Sequence, residues 1–135
     1  YDCGANQWSG TRGLVYFPAF AEKFNLEYST TKDIGEVVKA LHNGARVIAL
    51  VSAKGETNKG IFTEGGHYIV LISADEDDEI CILDPYWTSK KFTKWAKQGL
   101  VRTEGTLVYT TPAVLDAERK NESVDYFVFR RKKVK

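Results

Sequence analysis

Two runs of strand-forming residues, "HYIVLISA" and "EICILDPY", flank the acidic stretch Asp75 to Glu79 and constrain this chain more than any other feature. Both runs are rich in β-branched and other strand-forming residues and a turn-forming stretch separates them, so they predict an antiparallel hairpin. The carboxylates of Asp75, Glu76, Asp77, Asp78 and Glu79 lack the spacing of an EF-hand loop and read as a solvated turn rather than a calcium site. With the turn centred on Asp75 and Glu76, His67 stands directly opposite Asp84, at a Cβ separation of about 5 Å that allows an imidazole–carboxylate hydrogen bond. A turn one residue later on each strand moves the partner by two positions and keeps both side chains on one face. Such a bond fixes the histidine tautomer and stabilises the imidazolium. Gly65 and Gly66 leave room for a substrate backbone, and Pro85 ends the pairing just beyond Asp84. The pattern fits two readings equally: the base half of a nucleophile–His–Asp set, or a pair that only satisfies itself.

Around the hairpin the periodicity is mixed. Residues 1–12, "YDCGANQWSGTR", are polar and Gly-bearing and predict a loop. Helical spacing runs from Leu14 to Asn25. Pro18 suits a first turn, which sets the start near Phe17, and Phe17, Phe20, Ala21 and Phe24 then share a face. In "TTKDIGEVVKALHNG", Thr31 is the expected cap, Ile34, Val37, Val38 and Leu41 form the apolar stripe, and Gly44 ends the helix. His42 falls in the last turn, where an imidazole complements the carbonyl end; that place is structural rather than catalytic.

"ARVIALVSA" is apolar almost throughout and predicts a strand covered on both faces. "SKKFTKWAKQG" predicts a short helix with Phe92, Trp95 and Ala96 inward, and "GTLVYT" a strand. "TPAVLDAERK" predicts a helix capped by Thr111 with Pro112 in its first turn, and "VDYFVFRR" a closing strand. Residues 130–135 are expected to fray as a basic end. Helices first and hairpin-connected strands afterwards predict an α+β fold, with N-terminal helices packed on an antiparallel sheet.

A length of 135 residues predicts a single domain, residues 1–135. The balance of 19 basic against 18 acidic side chains supplies no field to attract nucleic acid or anionic lipid. No apolar run is long enough to span a bilayer, so no membrane partner is expected. The 2 cysteines, Cys3 and Cys81, lack zinc-site spacing, so no metal is expected. Cys81 alternates as a small buried hydrophobe would, with a Cys3–Cys81 bridge as the alternative. The chain has no Met and no signal-peptide pattern, so a segment upstream of Tyr1 is expected. The compartment stays open; a secreted or cell-surface place in a bacterium is the working expectation.

The stretch "GGHYIVLISADEDDEICILDPY" resembles the His-to-Asp hairpin of the papain-like cysteine peptidases, the family of bacteriocin leader-processing (double-glycine) peptidases and their standalone bacterial relatives. "GTRGLVYFPAFAEKFNLE" resembles the family's helix after a Gly-Thr turn, and "DIGEVVKALHNGARVIALV" its helix-to-strand unit. The similarity covers about residues 10–90 in order. It implies a papain-like fold, His67 as general base, Asp84 as its orienting carboxylate, a peptide or protein substrate, and no cofactor.

The family's nucleophile is a Cys at the start of a buried helix, preceded by an oxyanion-hole Gln. Here the chain departs from the pattern. Cys3 lies in "DCGAN", with no Gln before it and a Gly-bearing continuation rather than a helix to lower the thiol pKa. The nucleophile helix is therefore expected upstream of Tyr1, with Cys3 itself as the alternative. The face left by a missing helix would favour self-association or domain exchange. A non-catalytic peptide-binding module of the same fold and a cell-wall amide hydrolase are the competing functions.

Overall fold

Apolar nearly throughout, the segment Arg46–Ser52 forms β2 near the middle of the sheet in the computed structural model, which describes residues 13–120 and 125–132. Both faces of this strand are covered. Val47, Ala49 and Val51 turn to one side and share a core with Val37, Ala40 and Leu41 of α2 (Ile34–His42) and Leu115 of α4 (Pro112–Asp116). Phe92, just before α3 (Thr93–Lys97), closes the same core. Leu50 turns to the other side, where Phe17 and Ala21 of α1 (Gly13–Lys23) pack on Phe127 and Phe129.

Among the described residues the sheet has seven strands, and every neighbouring pair is antiparallel. From one edge to the other they are β1 (Leu26–Thr31), β7 (Tyr126–Arg131), β2, β3 (Gly66–Ala74), β4 (Ile80–Leu83), β6 (Leu107–Thr110) and β5 (Arg102–Glu104). Helices on an antiparallel sheet make the class α+β. Among the described residues no helix is long and apolar enough to cross a membrane.

Several local expectations need correction. A strand, β1, lies between the first two helices, so the two helices do not form a single block and pack on opposite faces. Its sequence LEYSTT carries only Leu26 and Tyr28 as apolar residues, as an outer strand with one solvated face allows. Pairing with β1 also draws Arg130 and Arg131 into strand β7, opposite Glu27 and Leu26, so these two residues are ordered in the sheet rather than frayed.

α1 begins at Gly13, earlier than Pro18 implied; burial of Ala21 and edge contacts of Phe17 with Phe127 outweigh the lost backbone bond. Phe20 and Phe24 stay exposed, so the buried stripe is narrower than the spacing predicted. Asp33 rather than Thr31 caps α2, its Oδ1 accepting from the Gly35 amide at 2.8 Å. Thr31 Oγ1 accepts instead from the Asp33 amide. Gly44, at φ 87°, ends that helix in the left-handed region that glycine enters without strain. Ala96 of α3 is exposed while Phe92 is buried.

The hairpin carries the feature that matters most. Ala74 pairs with Ile80 and Ser73 with Cys81, but beyond a bulge Leu71 pairs with Ile82 and Val70 with Leu83. His67 is therefore not directly opposite Asp84. Continued one step past Leu83, the register sets Asp84 beside Ile69, and His67 reaches it along the diagonal of the same face. The bulge is what aligns them. One extra residue in β3 flips its alternation, so that Leu71 and Ala74 both pack on one core although an odd number of positions separates them. Without it, the register at the turn would pair Asp84 with Val70, on the opposite face from His67.

Cys81 is a free thiol, buried on β4. Cys3, the loop assigned to residues 1–12, and the tip at 133–135 lie outside the described residues.

Candidate active site

Local sequence chemistry builds the carboxylate end. Asp84-Pro85-Tyr86-Trp87 closes a turn in which the Trp87 amide donates to the Asp84 carbonyl at 3.0 Å. Pro85 presets the backbone at the second turn position. The Asp84 side chain folds over the same turn, its Oδ1 accepting from the Tyr86 amide at 2.9 Å. This self-made turn holds the carboxylate rigidly where β4 ends.

On the neighbouring strand His67 lies opposite Val51 of β2, and its ring points to the covered face. Nε2 and Asp84 Oδ1 are 2.7 Å apart, with 7% of the His67 side chain and 0% of the Asp84 side chain exposed. The structure thus brings together the two residues singled out from sequence. It adds a third, because Lys91 Nζ lies 2.5 Å from Asp84 Oδ2. Burial alone would push the Asp84 carboxyl up. Hydrogen bonds from His67, Lys91 and the Tyr86 amide, with the Lys91 charge, more than offset that and hold it below its ordinary value.

An ionised carboxylate can only accept, so the ring proton in this bond sits on Nε2. In the neutral ring Nδ1 then carries the lone pair, and among the described residues it has no hydrogen-bond partner. The Tyr86 ring stacks on the imidazole at a centroid distance of 4.7 Å and is itself 71% exposed. Tyr86 thus covers one face of the base from solvent, whereas Trp87 packs against the core. A shallow groove of about 50 Å³ lined by Trp87, Phe92 and Thr103 opens on this segment, and neither His67 nor Asp84 reaches it.

The other histidine has a different place. His42 Nε2 meets Asp78 Oδ1 at 2.8 Å, both side chains exposed, so it ties the end of α2 to the β3–β4 turn rather than to its own helix carbonyls. In that turn Asp75 Oδ1 accepts from the amides of Asp77 and Glu79, which is how the acidic stretch folds on itself. Cys81 pairs with Ser73, six residues along β3 from His67, a separation of roughly 20 Å at strand rise. That thiol cannot serve the imidazole.

Sequence reasoning missed Lys91 and Glu118. Lys91 lies in a run of lysines that reads as a solvated helix face, and only the turn geometry aims it inward. Glu118 is 1% exposed and sits in a segment expected to be an ordinary helix end. Its Oε1 accepts from the Ile61 amide and its Oε2 from the Lys59 amide, both at 2.7 Å. Asn58 Nδ2 adds bonds to the Ser52 and Arg119 carbonyls. Together they pin the loop that delivers Gly65 and Gly66 to His67. Glu118→Ala should cost about 3 kcal/mol, because two amides lose their acceptor. Urea denaturation gives the loss, and faster hydrogen exchange at Lys59 and Ile61 would locate it.

Comparison with known proteins matched no family model, no curated protein and no solved structure. The functional reading therefore rests on the site itself.

Proposed function

We propose that this chain carries the base half of a papain-like cysteine peptidase, with His67 as general base and Asp84 as its orienting carboxylate. One observation carries the reading: a buried imidazole donates Nε2–H to an ionised carboxylate and keeps Nδ1 without a hydrogen-bond partner among the described residues. A base oriented from behind in this way can take a proton from a thiol placed at Nδ1. The thiolate then attacks the scissile carbonyl carbon, and the carbonyl electrons move to oxygen. Collapse of that intermediate breaks the C–N bond, and the imidazolium returns the proton to the departing amine. Water, deprotonated by the same ring, hydrolyses the resulting thioester. Asp84 stabilises the imidazolium while it lasts. The α+β scaffold, with His and Asp at one end of adjacent antiparallel strands, suits this reading. The thiol must be Cys3 or a cysteine outside this chain, since Cys81 is too far away.

A peptidyl acyloxymethyl ketone, which alkylates catalytic thiols, tests the proposal on the full-length protein. Mass spectrometry should find a single labelled cysteine other than Cys81, and His67→Ala should abolish the labelling. Peptide binding with neither labelling nor cleavage would instead identify a non-catalytic module. Cleavage confined to peptidoglycan stem peptides would identify a cell-wall amide hydrolase.

A further inference from the structure

Resting on that reading, we propose that Lys91 is a positioning residue of the site: its ammonium keeps Asp84 a carboxylate whether the His67 ring is charged or neutral, and so keeps the ring proton on Nε2. The geometry is specific. Lys91 reaches Oδ2 while His67 and the Tyr86 amide both use Oδ1, so the two carboxylate oxygens are divided between the fixed cation and the base. Among the described residues, the charged or titratable groups bonded to Asp84 are His67 from β3 and Lys91 from the segment after β4. The Lys91 amide donates to the Thr88 carbonyl at 3.2 Å, which fixes the turn that aims the side chain. Its own side chain is 19% exposed, so the ion pair is largely withdrawn from solvent screening.

A carboxylate this deeply buried is costly unless a cation offsets the lost hydration. When the ring is neutral, His67 supplies only a dipole, and Lys91 is then the full positive charge on Asp84. The consequence lies in the tautomer. A couple holding two protons can place both on the ring, as imidazolium beside carboxylate. It can also place one on the carboxyl and the other on Nδ1, with the carboxylic O–H donating to Nε2. Both carry a proton on Nδ1, but only the imidazolium of the first can hand that proton on and return to a base with Nε2 still protonated; the neutral Nδ1–H of the second is far too weak an acid to do so. Lys91 lies against the carboxylate rather than the ring, so it favours the first arrangement by Coulomb attraction. The device serves the peptidase reading and equally any reaction in which Nδ1 takes a proton.

The test is NMR on the whole chain. The Asp84 carboxyl carbon, followed by ¹³C, should titrate at higher pH in Lys91→Met than in wild type, and Lys91→Arg should bring it back. An unchanged Asp84 titration in folded Lys91→Met would overturn the proposal. Wild type offers a second readout that does not depend on the variant folding: the ¹⁵N signal of the Lys91 ammonium should exchange slowly with water. A Lys91 ammonium averaged with solvent would overturn it equally. Neither readout needs turnover, so a negative peptidase assay leaves this inference standing or falling on its own.

Discussion

On the proposed peptidase function, His67→Ala should lower peptide cleavage about a thousandfold while costing only about 1–2 kcal/mol of stability. The asymmetry follows from the bonding. Removing the ring deletes one hydrogen bond and the Tyr86 stack, yet Asp84 keeps Lys91 on Oδ2 and the Tyr86 amide on Oδ1. No buried charge is left unpaired, so the fold survives. The proposed reaction loses the one buried imidazole held by a carboxylate among the described residues. Steady-state kinetics with urea denaturation on the same preparation separates the two effects. Undiminished cleavage by the folded variant would remove His67 from the mechanism.

Changes at Asp84 should reverse that balance. Asp84→Ala leaves Lys91 and His67 both without their acceptor and should destabilise by about 3 kcal/mol. Asp84→Asn is more informative. If the amide oxygen takes the Oδ1 position it still accepts from His67 and Tyr86, but its NH₂ then faces the Lys91 ammonium, donor against donor. If it flips, Lys91 is satisfied, but the NH₂ meets the Tyr86 amide donor against donor and forces the wrong tautomer on His67. One partner is lost either way. Activity should fall about ten- to a hundredfold, less than in His67→Ala.

The pH dependence has a definite sign. Because the folded carboxyl lies below its unfolded value, Asp84 contributes stability that is fully present above the ordinary carboxylate range, about pH 4, and lost as pH falls through the lower folded value. Below that range the stability gap between wild type and Asp84→Asn should shrink as the wild-type carboxyl takes up its proton. Urea titrations between neutral and acid pH measure it. A gap that stays constant into strong acid would mean Asp84 is not held as a carboxylate.

What could be read from sequence tracks how strongly each element is buried. β2, β3, β7 and α2 announce themselves because apolar positions recur with the period of a strand or helix and then fill a core. β1 and β5 do not, since LEYSTT is half solvated and Arg102–Glu104 is wholly exposed; such strands form because a neighbour offers hydrogen bonds. The nearness of His67 and Asp84 was legible from two strands and a turn, but their sharing one face depends on the bulge. The route to it was not legible. Direct opposition assumed a turn centred on Asp75 and Glu76, whereas the observed register centres it on Asp77, and a bulge leaves no mark in the alternation of "LISA" that distinguishes it from a regular strand. Lys91 was invisible for a related reason. Whether a lysine seven residues beyond an aspartate turns inward depends on the turns between them, which periodicity does not encode.

At the centre of the proposed site is an imidazole whose proton is held on Nε2 by a carboxylate, leaving Nδ1 without a hydrogen-bond partner among the described residues. Long-range ¹H–¹⁵N correlation on the wild-type chain, at a pH where the ring is neutral, reports this directly. The His67 spectrum should be that of a single tautomer, protonated at Nε2 and bare at Nδ1. A ring protonated at Nδ1, or one averaging freely between both forms, would contradict it.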